Sequence, residues 1–272
     1  LDGDNELKSG TQSAGLEKNS TGTLTLKDDN NEAGSLTATG GFNSAGIGGG
    51  YLGDGKNITI TGGTVTATGG SSGAGIGGGS SGSGENITIT GGEVTASGGD
   101  NWDDCGAGIG GGNGGVGKNI TITGGTVNAT GGYGGGAAGI GGAFAKGENI
   151  TITGGTVNAT GTDGGAGIGG GENGNGEDIT INGGKVNASG AYGGAGIGGG
   201  VNGIGSKVTV SGAAHVTATA TASRDPDWPH TDTGATIGNG STRTPDGKSA
   251  DGKEIQADIS GLTTGYIHHI IY

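Results

Sequence analysis

Residues 71–99 read SSGAGIGGGSSGSGENITITGGEVTASGG, a glycine-rich stretch followed by two short runs of β-branched residues. The same order recurs along the chain. Each copy has an Ala-Gly-Ile triplet, a version of Asn-Ile-Thr-Ile-Thr, a Gly-Gly pair and a version of Thr-Val-Thr-Ala-Thr. The triplets follow one another in steps of 28 to 33 residues and start at Ala45, Ala74, Ala107, Ala138, Ala166 and Ala195. Such a period indicates a stacked repeat architecture.

The β-branched runs alternate apolar and polar residues, as strands with one buried face do. Ile87 and Ile89 point to one side, and Thr88 and Thr90 point to the other. One turn cannot bury that face alone. Turns stacked about 4.8 Å apart place equivalent residues over one another and create a continuous core. The sequence therefore predicts an all-β fold, a single-stranded right-handed parallel β-helix of about eight coils with three short strands per coil.

Two other repeat architectures agree less well with the spacing. A propeller blade needs four strands in about 40 residues, and each repeat supplies only three short ones. The calcium-binding nonapeptide roll needs an apolar residue where the closest segment, NGNGEDITI at 173–181, has Thr180.

Two features are expected to shape the corners of each turn. Gly-Gly pairs such as Gly62-Gly63 stand where the chain must turn with a positive φ. A column of asparagines precedes the second strand and predicts a ladder of side chains that satisfies turn amides. Its members are Asn57, Asn86, Asn119 and Asn149.

The repeat pattern divides the chain. We assign residues 1–221 to the parallel β-helix, and 222–272 to a degenerate last coil and a C-terminal cap or the lead into a further domain. The terminal GYIHHIIY, 265–272, is expected to form a strand that covers the open end of the helix.

Composition excludes several classes of partner. The chain has a net charge of −13 and only two arginines, both near the C-terminus, so no basic stripe is present for nucleic acid. No apolar run approaches the roughly 18 residues of a membrane span. No signal-like segment is present, which suggests an excised mature fragment. Cys105 is the single cysteine and is expected to be a free thiol in a loop.

The phrases GAGIGGG, NITITGGTVTATGG and LDGDNELKSG resemble the glycine-rich repeat domains of large secreted and wall-anchored surface proteins of Gram-positive bacteria. Those domains are similar to carbohydrate-binding right-handed parallel β-helices. The resemblance covers nearly all of residues 1–220. It implies an extracellular protein, secreted or attached to the cell wall, that binds a polysaccharide or a host or environmental glycan beside neighbouring modules of a larger surface protein.

Aromatic residues supply the candidate ligand-binding site. Loops that flank the glycine segments carry six of the nine: Phe42, Tyr51, Trp102, Tyr133, Phe144 and Tyr192. Loops of stacked coils line up along one edge, where aromatic faces can stack on successive sugars. Alternatively, the rings lie on the glycine floor and cover bare backbone. We predict an adhesin-like module without enzymatic activity.

An acidic cluster surrounds Trp102 and consists of Asp100, Asp103 and Asp104. These carboxylates could bind Ca²⁺, perform acid and base chemistry on a glycosidic bond, or simply be solvated. No cofactor is required, and Ca²⁺ is the metal considered. A polysaccharide lyase or hydrolase is the weaker alternative, because a lyase on this fold needs an arginine or lysine base and the repeats contain no arginine.

The outward threonines form a second candidate surface. One column contains Thr59, Thr88, Thr121, Thr151, Thr180 and Thr209, and its neighbour contains Thr61, Thr90, Thr123 and Thr153. Thr-x-Thr arrays on a rigid solenoid are typical of ice-binding β-helices, which gives an alternative function. Threonine is also a favourable exposed strand residue for structural reasons alone.

Overall fold

A computed structural model describes residues 1–28, 34–102, 104–222, 232–243 and 248–272. Asp103 of the predicted acidic cluster lies outside the described residues. Within these ranges the chain is all-β, with 26 strands and no helix, so it contains no helix of the length and apolarity that crossing a membrane requires. The fold is a right-handed parallel β-helix with three sheets, as predicted.

The strands are numbered β1 to β26 along the chain. Sheet A contains β1 (Asp4–Lys8), β4 (Ser35–Thr39), β7 (Thr64–Thr68), β10 (Glu93–Ser97), β13 (Thr126–Thr130), β16 (Thr156–Thr160), β19 (Lys185–Ser189), β22 (His215–Ala220) and β26 (Tyr266–Ile271). Sheet B contains β2 (Leu16–Glu17), β5 (Ile47–Gly48), β8 (Ile76–Gly77), β11 (Ile109–Asn113), β14 (Ile140–Ala143), β17 (Ile168–Gly169), β20 (Ile197–Gly198) and β23 (Ile237–Gly238).

Sheet C contains β3 (Leu24–Leu26), β6 (Gly55–Ile60), β9 (Gly84–Ile89), β12 (Gly117–Ile122), β15 (Gly147–Ile152), β18 (Gly176–Ile181) and β21 (Gly205–Val210). A short antiparallel hairpin consists of β24 (Thr242–Arg243) and β25 (Ser249–Ala250). The described strands thus form seven turns with a member in all three sheets, followed by a degenerate eighth turn.

The core consists of identical residues stacked in register. Ile89 pairs with Ile122 in sheet C, and Val94 pairs with Val127 in sheet A. All four side chains are fully buried. Each such side chain contributes about 1.5–3 kcal/mol through removal of apolar area from water. The predicted ladders of isoleucine and valine are confirmed.

Glycine is required at the sheet B corner. Gly77 has φ 136°, and a Cβ there would lie 1.9 Å from the carbonyl oxygen of Gly110 in the next turn. Gly110 repeats this arrangement against Gly141. A side chain at these positions would collide with the neighbouring backbone, so the Ala-Gly-Ile-Gly motif permits a strand of only two residues and a very tight bend.

The asparagine column forms the predicted side-chain ladder. Asn86 Nδ2 donates to Asn57 Oδ1 at 3.0 Å, and Asn119 and Asn149 continue the chain at 3.0 and 2.6 Å. The amides therefore satisfy one another rather than turn N–H groups. All four residues have φ between 53° and 57°, a conformation that asparagine tolerates better than most residues.

The eighth turn closes the C-terminal end of the helix. β26 pairs with β22 and extends sheet A. The carboxylate of Glu254 accepts hydrogen bonds from the N–H groups of Thr236 and Ile237 at 2.5 and 3.1 Å. It replaces the carbonyl oxygens that a further sheet B strand would supply. In β26, His269 Nδ1 lies 2.5 Å from Thr236 Oγ1.

Candidate functional site

Two sets of loops flank sheet B and lie side by side. The A–B loops connect sheet A to sheet B, and the B–C loops connect sheet B to sheet C. The N–H of Val201 in a B–C loop donates to the carbonyl of Gly164 in an A–B loop at 2.7 Å. The N–H of Glu172 donates to Gly136 in the same way, also at 2.7 Å. Both sets therefore cover the same side of the rod.

The predicted aromatic residues are divided between these sets. The A–B loops carry Phe42, Trp102, Tyr133 and Tyr192, and the B–C loops carry Tyr51 and Phe144. Trp102 is 92% exposed and Tyr133 is 61% exposed. Fully exposed indole and phenol rings on a rigid scaffold are unusual without a ligand to cover them.

Trp102 and Tyr133 lie in successive turns and line one cleft of about 410 Å³ together with Asp100, Asn101 and Gly134. Gly134 permits this arrangement. A Cβ at that position would lie 2.0 Å from the carbonyl oxygen of Asn101, and its φ is 99°. The two loops can therefore approach closely enough for their rings to share a cleft.

Tyr133 also lines a second cleft of about 420 Å³, on its other side. This cleft contains Tyr192 and the C-terminal Tyr272, and extends across five successive turns. The remaining lining residues are small or hydroxylated: Thr160, Gly161, Thr162, Ala191, Thr221 and Ala222. We call it the tyrosine cleft.

Tyr272 was missed by the sequence analysis. It follows β26, a strand outside the repeat pattern, and only the pairing of β26 with β22 brings it to the loop side of the rod. Its N–H donates to the carbonyl of Ala220 at 3.0 Å. The alternating apolar residues of the terminal segment were the available signal, but they do not say where the strand docks.

The other predicted aromatic residues have different surroundings. Phe144 is half-buried and packs against Cys105, Ala137 and Ala143, as the covering alternative describes. Tyr51 lines a separate cleft of about 440 Å³ near the N-terminal end. Phe42 is 58% exposed and lies two turns before Trp102.

Two carboxylates support the Tyr133 loop from the neighbouring turns. Asp100 Oδ1 accepts from the N–H of Tyr133 at 2.8 Å, and Asp163 Oδ2 accepts from the N–H of Gly134 at 2.7 Å. Asp104 accepts from the side-chain amide of Asn113. Within the described residues, no three His, Cys, Asp or Glu side chains are placed to hold a metal ion.

Buried groups beneath these loops are electrostatically disfavoured as anions. Burial raises the pKa of the Cys105 thiol, and the charges of Asp163, Asp100, Asp104 and Glu172 add to the effect. The predicted free thiol is thus fully buried and protonated at neutral pH. Burial also raises the pKa of Glu172, against the opposing attraction of Arg243.

The lysines that a lyase could use as a base are engaged elsewhere. Lys56 pairs with Asp54 at 2.9 Å, and Lys118 pairs with Glu148 at 3.1 Å. Lys146 also contacts Glu148, at 2.6 Å. These pairs lie at the entry to sheet C, and none of these lysines lines either cleft beside Tyr133.

The threonine columns are in register across sheet C. Thr88 pairs with Thr59 on one side and with Thr121 on the other, and the column extends over seven turns. Its members are Thr25, Thr59, Thr88, Thr121, Thr151, Thr180 and Thr209. The neighbouring column is exposed from Thr61 to Thr153 and then changes to Asn182 and Ser211.

The stacked turns, the two-residue glycine corners and the loop-side clefts define a parallel β-helix with an exposed aromatic surface. The model of the beta helix repeat family matches just over half of the chain, at residues 32–51, 58–80, 87–113, 120–144, 150–172 and 179–201. The chain therefore belongs to the beta helix repeat family. Neither a curated protein nor a solved structure matches it.

Proposed function

We propose that this chain is a non-enzymatic module that binds a polysaccharide through the two clefts on either side of Tyr133. The observation that carries the proposal is the tyrosine cleft, in which Tyr133, Tyr192 and Tyr272 line one groove along the axis of the rod. Trp102 extends the same surface by one turn.

The chemistry of the lining suits a sugar polymer. Aromatic faces stack on the C–H faces of pyranose rings, while hydroxyl groups and loop amides supply hydrogen bonds. A long groove on a rod can contact several successive sugars, so individually weak contacts add up along one chain.

The loops are also held in place before a ligand arrives. Asp100 and Asp163 fix the backbone of the Tyr133 loop from both neighbouring turns. A site that is already ordered loses less conformational entropy on binding, which favours affinity. This argues that the carboxylates support the site rather than perform chemistry.

The proposed setting is the exterior of a bacterial cell. The glycine-rich motifs resemble those of secreted and wall-anchored surface proteins, and a rod of eight turns at about 4.8 Å each is roughly 40 Å long. Such a rod would hold neighbouring modules apart while its clefts contact a host or environmental glycan.

Glycan-array binding tests the proposal. The double variant Trp102→Ala, Tyr133→Ala should lose most of its binding to any glycan that the wild type retains, because both clefts lose a wall. Phe42→Ala is the matched control, since Phe42 is similarly exposed on the same loop set but lies outside both clefts. Unchanged binding by a folded double variant would overturn the proposal.

The threonine columns favour ice binding as a second candidate function. Seven hydroxyl-bearing residues in register on sheet C form a regular array beside a second exposed column. Thermal hysteresis and ice-crystal shaping measure this activity directly, and Thr121→Lys should abolish it by interrupting the array. Absence of hysteresis in the wild type would remove this candidate.

A further inference from the structure

We infer that the tyrosine cleft selects a neutral β-1,4-linked polysaccharide whose chain lies along the rod as a flat two-fold ribbon. This inference rests on the proposed function and names the class of glycan. It follows from the spacing of the aromatic side chains, from the residues between them and from the charge of the surroundings.

The spacing of the first two rings is two turns. Thr130 pairs with Thr160, and Thr160 pairs with Ser189, so β13 and β19 are separated by one intervening strand. Tyr133 and Tyr192 each stand three residues after the last member of these pairs. Two turns correspond to about 9.6 Å along the axis.

The third ring repeats this interval. Ser189 pairs with Thr219, which pairs with Ile270 in β26, so another two turns separate the strands. Tyr272 stands two residues after Ile270 and lines the same cleft as Tyr192. The three tyrosines therefore recur with a period of two turns.

A two-fold ribbon has the matching repeat. In a β-1,4-linked chain of equatorially linked pyranoses, each sugar is flipped relative to the last, so the same face returns at every second residue. The length of two such sugars is close to two turns of a β-helix. A coiled α-1,4-linked chain does not present equivalent faces along a straight line.

The intervening turns carry hydroxyl groups instead of rings. Thr160 lies in the turn between Tyr133 and Tyr192, and Thr221 lies between Tyr192 and Tyr272. Thr221 Oγ1 donates to the carbonyl of Gly190 at 3.0 Å, which leaves its lone pairs to accept a bond from a sugar hydroxyl. The lining thus alternates between stacking and hydrogen bonding, as the faces of a ribbon do.

The charge of the surroundings favours a neutral ligand. Every residue that lines the tyrosine cleft is uncharged. Asp100 and Asp163 hold the loop of Tyr133, and the chain as a whole carries a net charge of −13. A polyuronate would meet repulsion along the whole rod and no cluster of basic side chains in the cleft.

Calorimetric titration of the full chain with four hexasaccharides tests the inference. Cellohexaose and mannohexaose represent neutral ribbons, maltohexaose represents a coiled neutral chain, and hexagalacturonate represents an anionic one. We expect at least one of the two β-1,4-linked hexamers to bind more tightly than both others by about tenfold or more. Its affinity should exceed that of the corresponding trisaccharide, because four turn intervals span about 19 Å.

Two variants connect the result to the cleft. Tyr192→Ala removes the middle ring and should weaken binding of the preferred hexamer by about tenfold. Phe42→Ala, outside the cleft, should leave it unchanged. Circular dichroism establishes that both variants retain the fold.

The outcomes separate the two levels of argument. Equal or tighter binding of maltohexaose or hexagalacturonate, or an unaffected Tyr192→Ala, would overturn the ribbon inference while polysaccharide binding stands. Binding of no glycan in either the titrations or the array would overturn the proposed function itself.

Discussion

The backbone N–H of Tyr133 donates a hydrogen bond to Asp100 Oδ1 across 2.8 Å, from one turn of the helix to the turn before it. Asp163 in the following turn accepts from Gly134 at 2.7 Å. The loop that presents the most central ring is thus fixed from both sides by side chains of its neighbours. A solenoid makes this possible because every loop has an equivalent loop directly above and below it.

Asp100→Ala should therefore weaken glycan binding without removing a ring. The variant leaves the N–H of Tyr133 without its carboxylate acceptor and costs about 1–2 kcal/mol of local order. Affinity for the preferred glycan, measured by titration, should fall several-fold. Asp100→Asn keeps an acceptor oxygen and should bind nearly as well as the wild type. Equal affinity for Ala and wild type would show that the loop needs no such support.

Glu172 should make stability depend on pH. Burial raises the pKa of this carboxyl group in the folded state, so the folded chain holds its proton more tightly than the unfolded chain does. The contribution of Glu172 to stability therefore declines as pH rises through the folded pKa, and at neutral pH the group is a net cost. Glu172→Gln should raise the Tm at pH 7 and lose this advantage below the unfolded pKa.

Glu93→Gln is the control for that comparison, because Glu93 is exposed on sheet A. It should leave the Tm and its pH dependence nearly unchanged. A Glu172→Gln variant with a lower Tm at pH 7 would indicate that the attraction of Arg243 outweighs burial.

Gly110→Ala should prevent correct stacking of the turns. Its Cβ would lie 2.0 Å from the carbonyl oxygen of Gly141, and its φ is 136°. We expect a loss of more than about 4 kcal/mol, or failure to fold, in chemical denaturation followed by circular dichroism. Gly114→Ala separates strain from collision, since Gly114 has φ 73° but no atom within 4 Å of its Cβ. That variant should lose only about 1–2 kcal/mol.

Asp178→Asn should extend the asparagine ladder by one member. Asp178 occupies the next position in the column with φ 54°, and its carboxylate has no N–H to donate to Asn149. An amide there should raise the free energy of unfolding by about 0.5–1 kcal/mol. The exposed ion pair between Lys207 and Asp178, at 3.2 Å, would be lost at little cost.

The reverse change tests the same ladder. Asn119→Asp removes the Nδ2 donor to Asn86 and places a charge within the column. Thermal unfolding should show a lower Tm for this variant and a higher one for Asp178→Asn. If both variants unfold at the wild-type temperature, the ladder contributes nothing measurable to stability.

The strands could be derived from the sequence because their pattern combines two regular intervals. Alternation decided which residues of each strand are buried, and the repeat of 28 to 33 residues decided which residues stack, so the pairing of Ile89 with Ile122 followed directly. The sheet B corner was visible as glycine, although the collision that requires it appears only when the next turn is present.

The aromatic surface could be predicted only in part. Loop side chains follow neither interval, because the loops differ in length and their direction depends on contacts with adjacent loops. The sequence placed Phe144 and Tyr133 in one group, whereas packing against Cys105 half-buries the first and leaves the second exposed. Tyr272 joined the cleft only through the docking of β26.

The sequence by itself therefore determined the turn, its three strands and its core, since local alternation and exact repetition are properties of the chain. The tertiary structure alone decided which rings share a cleft, because that depends on contacts between loops about 30 residues apart or more. Those contacts exist only after the turns have stacked.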